Sequence, residues 1–207
     1  PGQHFTFYEI DPAIKRIAES HRLFTYLSDS EPDAYDIVLG DGRVMLTRAE
    51  DHSFGMIILD AFSSDVIPVH LLTREAIALY YRKLADDGFL VFHISNPHVN
   101  LGPVLGNLAA DAGSRCWICR DQFVPPELRA TGREPTLYAV MARDKSHLKG
   151  LLRIESGLPW IEITPNDPLT SSTSSRMMSR SSCSMSTALI SSSITRSNPF
   201  SIRCTSK

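Results

Sequence analysis

The chain has 207 residues, 43% hydrophobic and 21% charged, which suits one α/β domain with a sizeable core. All 23 acidic residues lie at or before Asp167, leaving an acidic body that argues against a nucleic-acid partner and suits a cationic one. No apolar run approaches the roughly 20 residues that a membrane-crossing helix needs, and no signal-peptide pattern opens the chain.

Phe5 to Asp11 is rich in β-formers and ends in acids, and Pro12 follows where a first helical turn tolerates it. Ile14, Ile17 and Ala18 supply the helical stripe, so the segment predicts strand, acidic tip, helix. In nucleotide-binding α/β sheets an acid at such a tip accepts hydrogen bonds from ribose hydroxyls. Glu9 is the candidate and Asp11 the helix cap, although either residue alone is also explained as a cap. His21 to Tyr35 is polar and turn-rich. Asp36 to Gly40 predicts a short strand with Asp41-Gly42 at its tip, a pair that can turn the chain or accept from an adenine amino group. Val44, Leu46 and Ala49 begin a helix.

Gly55-Met56-Ile57-Ile58-Leu59 is apolar throughout and stops at Asp60, the pattern of a strand buried on both faces of a parallel sheet. Such a strand delivers Asp60, Ser63, Ser64 and Asp65 to the sheet's carboxyl edge, where open α/β folds bind ligands. Two acids flanking a serine pair there point to a site, against the alternative that both only cap turns. Pro68 and an amphipathic segment from Leu71 to Leu84 follow. Gly88 to Ser95 predicts another buried strand, entered by the turn signal Asp86-Asp87-Gly88. His93 lies inside its apolar run and reads as a packed core residue.

Leu101 to Ala112 predicts a helix closed by Gly113, and Arg115 to Cys119 and Thr136 to Met141 predict two last strands that pair antiparallel. Cys116 and Cys119 have CxxC spacing without a second pair or His cluster to complete a metal site. Strand alternation puts their sulfurs on opposite faces as buried thiols, and a reducing cytosol is the simplest compartment. The elements from Phe5 to Arg143 specify a doubly wound, mostly parallel sheet of Rossmann-like type. The expected organisation is an α/β domain over 1–144, a helix and extension over 145–170, and a Ser/Arg-rich tail over 171–207. That tail is about two-fifths serine without an acid, and predicts no regular structure. Its abrupt composition also suggests an out-of-frame translation, or a basic segment able to bind RNA.

Tyr8-Glu9-Ile10-Asp11-Pro12, Gly40-Asp41-Gly42-Arg43 and Leu59-Asp60-Ala61-Phe62-Ser63-Ser64-Asp65 before Pro68 together resemble the polyamine aminopropyltransferases, the spermidine synthase family. The first two segments are shared with many S-adenosylmethionine-dependent methyltransferases; the third is the more diagnostic. The resemblance implies a methyltransferase-like fold, decarboxylated S-adenosylmethionine as co-substrate, a polyamine or other amine as acceptor, and no metal. It assigns the donor ribose to Glu9 and the adenine to Asp41 with Gly42, with Pro68 beside the donor. Asp60 would bind and deprotonate the attacking amine, while Asp65, with Ser63 and Ser64, would hold the polyamine.

The resemblance runs closest to a bacterial branch in which this domain is often fused behind membrane helices. It therefore implies a cytoplasmic location, or the cytoplasmic face of a membrane, and leaves a homodimer open. Spermidine synthases run directly from Asp into Ser-Ser-Asp, whereas Ala61-Phe62 intervene here. The family's first strand, its Gly-rich loop and an N-terminal hairpin region have no counterpart in residues 1–207. That strand would lie between Phe5–Ile10 and Met56–Leu59, so the expectation is a fragment that is poorly folded and inactive by itself. Two other readings stand beside this one: a small-molecule methyltransferase using ordinary S-adenosylmethionine, and a catalytically dead nucleotide-binding module.

Overall fold

Strands β1 (His4–Glu9), β2 (Tyr35–Leu39), β3 (Phe54–Asp60), β4 (Leu84–His93) and β5 (Arg115–Asp121) all run in one direction. Three more, β6 (Thr136–Ala142), β7 (Trp160–Ile163) and β8 (Ser201–Ser206), run against them in a single eight-stranded sheet of order β2-β1-β8-β3-β4-β6-β5-β7. The computed structural model describes residues 4–25, 27–29, 35–62, 67–96, 98–121, 124–148, 151, 160–165 and 201–206. The doubly wound α/β class expected from the alternating pattern is the one observed. Helices α1 (Pro12–Ala18), α2 (Gly42–Leu46), α3 (Arg74–Lys83) and α4 (Gly102–Asp111) connect the parallel strands, and a one-turn α5 (Pro126–Arg129) lies between β5 and β6. As expected for strands joined without a long helix, β5 and β6 pair antiparallel.

The helices start where their caps dictate. Asp11 Oδ1 accepts from Ala13 N–H at 2.7 Å with Pro12 at the first helical position, and Thr73 Oγ1 accepts from Ala76 N–H at 3.2 Å to open α3. Buried Ala76, Ile77, Tyr80 and Leu79 of α3 and Leu105 and Ala109 of α4 pack with Ile57, Leu59, Leu90 and Phe92 of the sheet in the larger core. A smaller core holds Val91, Trp117, Val140 and Leu148, flanked by Met56 and Ile58. The two sets alternate along β3 and β4, so both strands are covered on both faces, as their unbroken apolar runs require. Among the described residues no helix is long and apolar enough to cross a membrane.

Three expectations are revised. The Asp86-Asp87-Gly88 signal is not a turn before a strand but an irregularity inside β4, whose pairing jumps from Phe54↔Leu84 to Met56↔Phe89. Gly88 suits the irregularity, because a Cβ would stand tight against the strand backbone, 3.0 Å from the Gly55 oxygen. The amphipathic segment expected over Leu71 to Leu84 divides into a 3₁₀ turn, Val69–Leu72, and α3. The described residues of the 145–170 stretch include a 3₁₀ turn, Lys145–Leu148, and strand β7, which extends the sheet beyond β5; the helix expected there falls largely outside the described residues. In the tail, Ser201–Ser206 form a strand where no regular structure was expected; residues 171–200 lie outside the described residues.

Strand β8 pairs antiparallel with β1 on one side and β3 on the other, in the slot where the family resemblance calls for a parallel strand. The physical reason is that β1 and β3 would otherwise leave facing rows of amides unpaired, at about 1–3 kcal/mol for each buried group. Ladder hydrogen bonds come from the main chain, so a serine-rich segment can supply them.

Cys116 and Cys119 are both free thiols and both buried, with Cys116 in the larger core. Burial pushes the Cys116 thiol up to about 12, far above the pH at which thiolate chemistry normally begins. Iodoacetamide at pH 8 is therefore expected to leave Cys116 unlabelled in the native protein and to label it once urea unfolds the chain. Equal labelling in both conditions, read by peptide mass spectrometry, would contradict the burial.

Candidate active site

The carboxyl ends of β1, β2, β3 and β4 bring four chemically active side chains to one edge of the sheet. Their register is explicit. Glu9 is level with Leu39 on one side and Ser201 on the other, Ser201 is level with Asp60, and Leu59↔Phe92 pairing puts Asp60 beside His93, which is level with Tyr138. Residues level with one another across a sheet project to the same face. Glu9 and Asp60 stand two strand spacings apart, roughly 10 Å.

At the first strand tip Glu9 is buried, with 5% of its surface exposed, and Oε1 accepts from Asp11 N–H at 2.9 Å. Asp11 itself faces its own helix as the cap, as read from the sequence. The β1–β2 edge is closed by Gly40 N–H donating to the Glu9 carbonyl at 2.9 Å. Gly40 has φ +137°, and a side chain there would meet Met45 Cγ at 2.9 Å, so the turn before Asp41 admits glycine alone.

Asp41 divides its carboxylate between two partners. Oδ1 caps α2 by accepting from Val44 N–H at 2.9 Å, and Oδ2 lies 3.0 Å from His70 Nε2. Arg43 Nη1 donates to the His70 carbonyl at 2.6 Å, which ties the 3₁₀ turn to α2. Gly42 opens α2 and is buried; Pro68 is buried directly before the 3₁₀ turn, with its carbonyl accepting from Leu71 N–H at 2.9 Å. The turn-forming role of Asp41-Gly42 is thus fully realised, and it also carries a histidine contact that local sequence did not announce.

Asp60 ends β3 with a quarter of its side chain exposed (26%), and its Oδ1 lies 2.7 Å from His93 Nδ1. This corrects the reading of His93 as a packed core residue: its ring sits at the rim, paired with the candidate acid and stacked on Tyr138 at 4.7 Å. The chain leaving Asp60 is held by Asn96, whose Nδ2 donates to the Phe62 carbonyl at 2.9 Å. Sequence reasoning missed the roles of His93, His70 and Asn96 because each contact joins residues about 30 positions apart in the chain; the available signal was that His93 stands near the end of an apolar run, as Asp60 does. Ser63, Ser64 and Asp65 lie outside the described residues. Among the described residues no group of three or more His, Cys, Asp and Glu is arranged to hold a metal ion.

Over 93 residues the chain is 34% identical to a polyamine aminopropyltransferase of Vibrio vulnificus, an alignment covering 44% of this chain and 29% of the relative. By sequence, the chain is similar to the polyamine aminopropyltransferases. It spans less than a third of the length of that relative. The aminopropyltransferase-like segment also shares its fold with a probable spermidine synthase from Corynebacterium glutamicum: TM-score 0.51, 18% identity, 87% of this chain and 65% of that one. A spermidine synthase from Thermotoga maritima superposes with a TM-score of 0.48 over 69% of this chain and 46% of its own length, at 18% identity. No family model matches the chain.

Proposed function

We propose that the aminopropyltransferase-like segment binds decarboxylated S-adenosylmethionine and transfers its aminopropyl group to an amine such as putrescine. The observation that carries this reading is Asp60 at the end of the buried β3, level with Glu9 across the sheet and in a chain 34% identical to an aminopropyltransferase over 93 residues. The amine nitrogen attacks the carbon attached to the sulfonium; the C–N bond forms as the C–S bond breaks, and the bonding pair goes to sulfur as a neutral thioether. The acceptor has an ordinary pKa of roughly 10 and must give up a proton, which Asp60 receives. Glu9 takes the donor ribose hydroxyls, Asp41 and Gly42 the adenine beside Pro68, and Asp65 with Ser63 and Ser64 the polyamine. The buried free thiols support a reducing compartment, the cytoplasm.

The test is to incubate the 207-residue chain, and the longest product of its gene, with putrescine and either decarboxylated or ordinary S-adenosylmethionine. Methylthioadenosine released from the decarboxylated donor alone is the expected result, and whether the 207-residue chain suffices is read in the same assay. S-adenosylhomocysteine from the ordinary donor, without methylthioadenosine, would favour the methyltransferase reading; no turnover with either would favour a dead nucleotide-binding module. Glu9→Gln is expected to weaken donor binding by calorimetry roughly tenfold or more, the worth of one hydrogen bond to a charged group, with the acceptor KM unchanged. A change confined to the acceptor KM would count against the ribose role.

A further inference from the structure

We propose that His93 is the positioning residue for Asp60: a neutral imidazole, protonated on Nδ1, whose one hydrogen bond fixes the direction of the carboxylate that receives the proton. The inference rests on the reading of Asp60 as the amine base. An ionised carboxylate only accepts hydrogen bonds, so the 2.7 Å contact requires the proton to lie on Nδ1. The opposite nitrogen, Nε2, is buried and has no hydrogen-bond partner among the described residues. A charged ring would hold a desolvated N–H donor there that no described residue receives, which favours the neutral ring.

Four further contacts brace the pair. The ring stacks on Tyr138 with 4.7 Å between centroids and 24° between planes, which sets the direction of Nδ1–H. Immediately beyond His93, Ile94 N–H donates to the Leu137 carbonyl at 2.9 Å and Ser95 Oγ accepts from Leu137 N–H at 2.8 Å, clamping β4 to β6. On the Asp60 side, Asn96 holds the Phe62 carbonyl. A carboxylate at a strand end can rotate about two side-chain bonds; one charge-assisted hydrogen bond from an immobile ring holds it in a single direction. Orientation of this kind lowers the barrier without contacting the substrate.

The geometry names its own rescue. The amide nitrogen of asparagine occupies the position of Nδ1, whereas that of glutamine reaches the position of Nε2. With decarboxylated S-adenosylmethionine and putrescine, His93→Ala is expected to lower kcat by about 10- to 100-fold, the equivalent of one hydrogen bond to a charged group, with the donor KM within about twofold. His93→Asn should return kcat to within roughly threefold of wild type and His93→Gln should not, although all three melt cooperatively by circular dichroism. Long-range proton–nitrogen NMR of the wild type should show His93 protonated on Nδ1 and bare on Nε2.

His93→Asn as slow as His93→Ala, His93→Ala as fast as wild type, or an Nε2-protonated ring would each overturn the proposal while leaving aminopropyl transfer standing. If the longest product of the gene transfers nothing, the functional reading and this role with it are overturned, and the ring-nitrogen spectra then still report whether the Asp60–His93 pair exists.

Discussion

Asp60→Asn is expected to lower turnover at least about a hundredfold, the scale on which a lost general base is felt. The substitution keeps the size and planarity of the side chain, and its amide oxygen can still accept from His93 Nδ1–H, so the end of β3 keeps its shape. What disappears is the negative charge that attracts a cationic amine and the ability to take its proton. The effect should therefore fall on kcat and on the acceptor KM, with donor binding preserved. The check is steady-state release of methylthioadenosine with each substrate varied in turn. Turnover within a few-fold of wild type would sink the assignment and move attention to chemistry that needs Glu9 and Asp41 alone.

The second large effect concerns what holds Asp60 and His93 in place. Phe92→Ala is expected to cost about 3–5 kcal/mol, a large share of the 5–15 kcal/mol by which a domain of this kind is stable. Phe92 is wholly buried, packs its ring 6.4 Å from that of Phe62, and lies on a strand enclosed between β3 and β6. Removing the ring leaves a cavity that neighbours pinned in an eight-stranded sheet fill poorly. Because Phe62 follows Asp60 by two residues and His93 follows Phe92, the same cavity loosens both partners of the site. Urea denaturation followed by circular dichroism measures the cost; a loss under about 1 kcal/mol would show that this pair of rings is not where the core is tightest.

Local physical chemistry determined a good deal from the sequence alone. Whether a run of residues is buried on one face or two is written in its own periodicity, so the unbroken Met56–Leu59 run announced a doubly covered strand and Asp60 as its tip. Caps are equally local: Asp11 and Thr73 satisfy orphan amides two and three residues away, and the strand–helix alternation that they punctuate implied the α/β sheet. The carboxylates at strand ends were legible for the same reason, since all strands of a parallel set expose their ends at one edge.

Pairings across the sheet were decided only by tertiary structure. His93 and Asp60 are 33 residues apart, and nothing in either neighbourhood states the register that brings Nδ1 to Oδ1; a slip of one residue would turn His93 to the other face. His70 meets Asp41 because a 3₁₀ turn packs back onto α2, a contact 29 residues long in sequence. The strand at Ser201–Ser206 was the least legible of all, because main-chain pairing with β1 and β3 draws on amides that every residue except proline carries, and composition does not record which segment will be near enough to supply them.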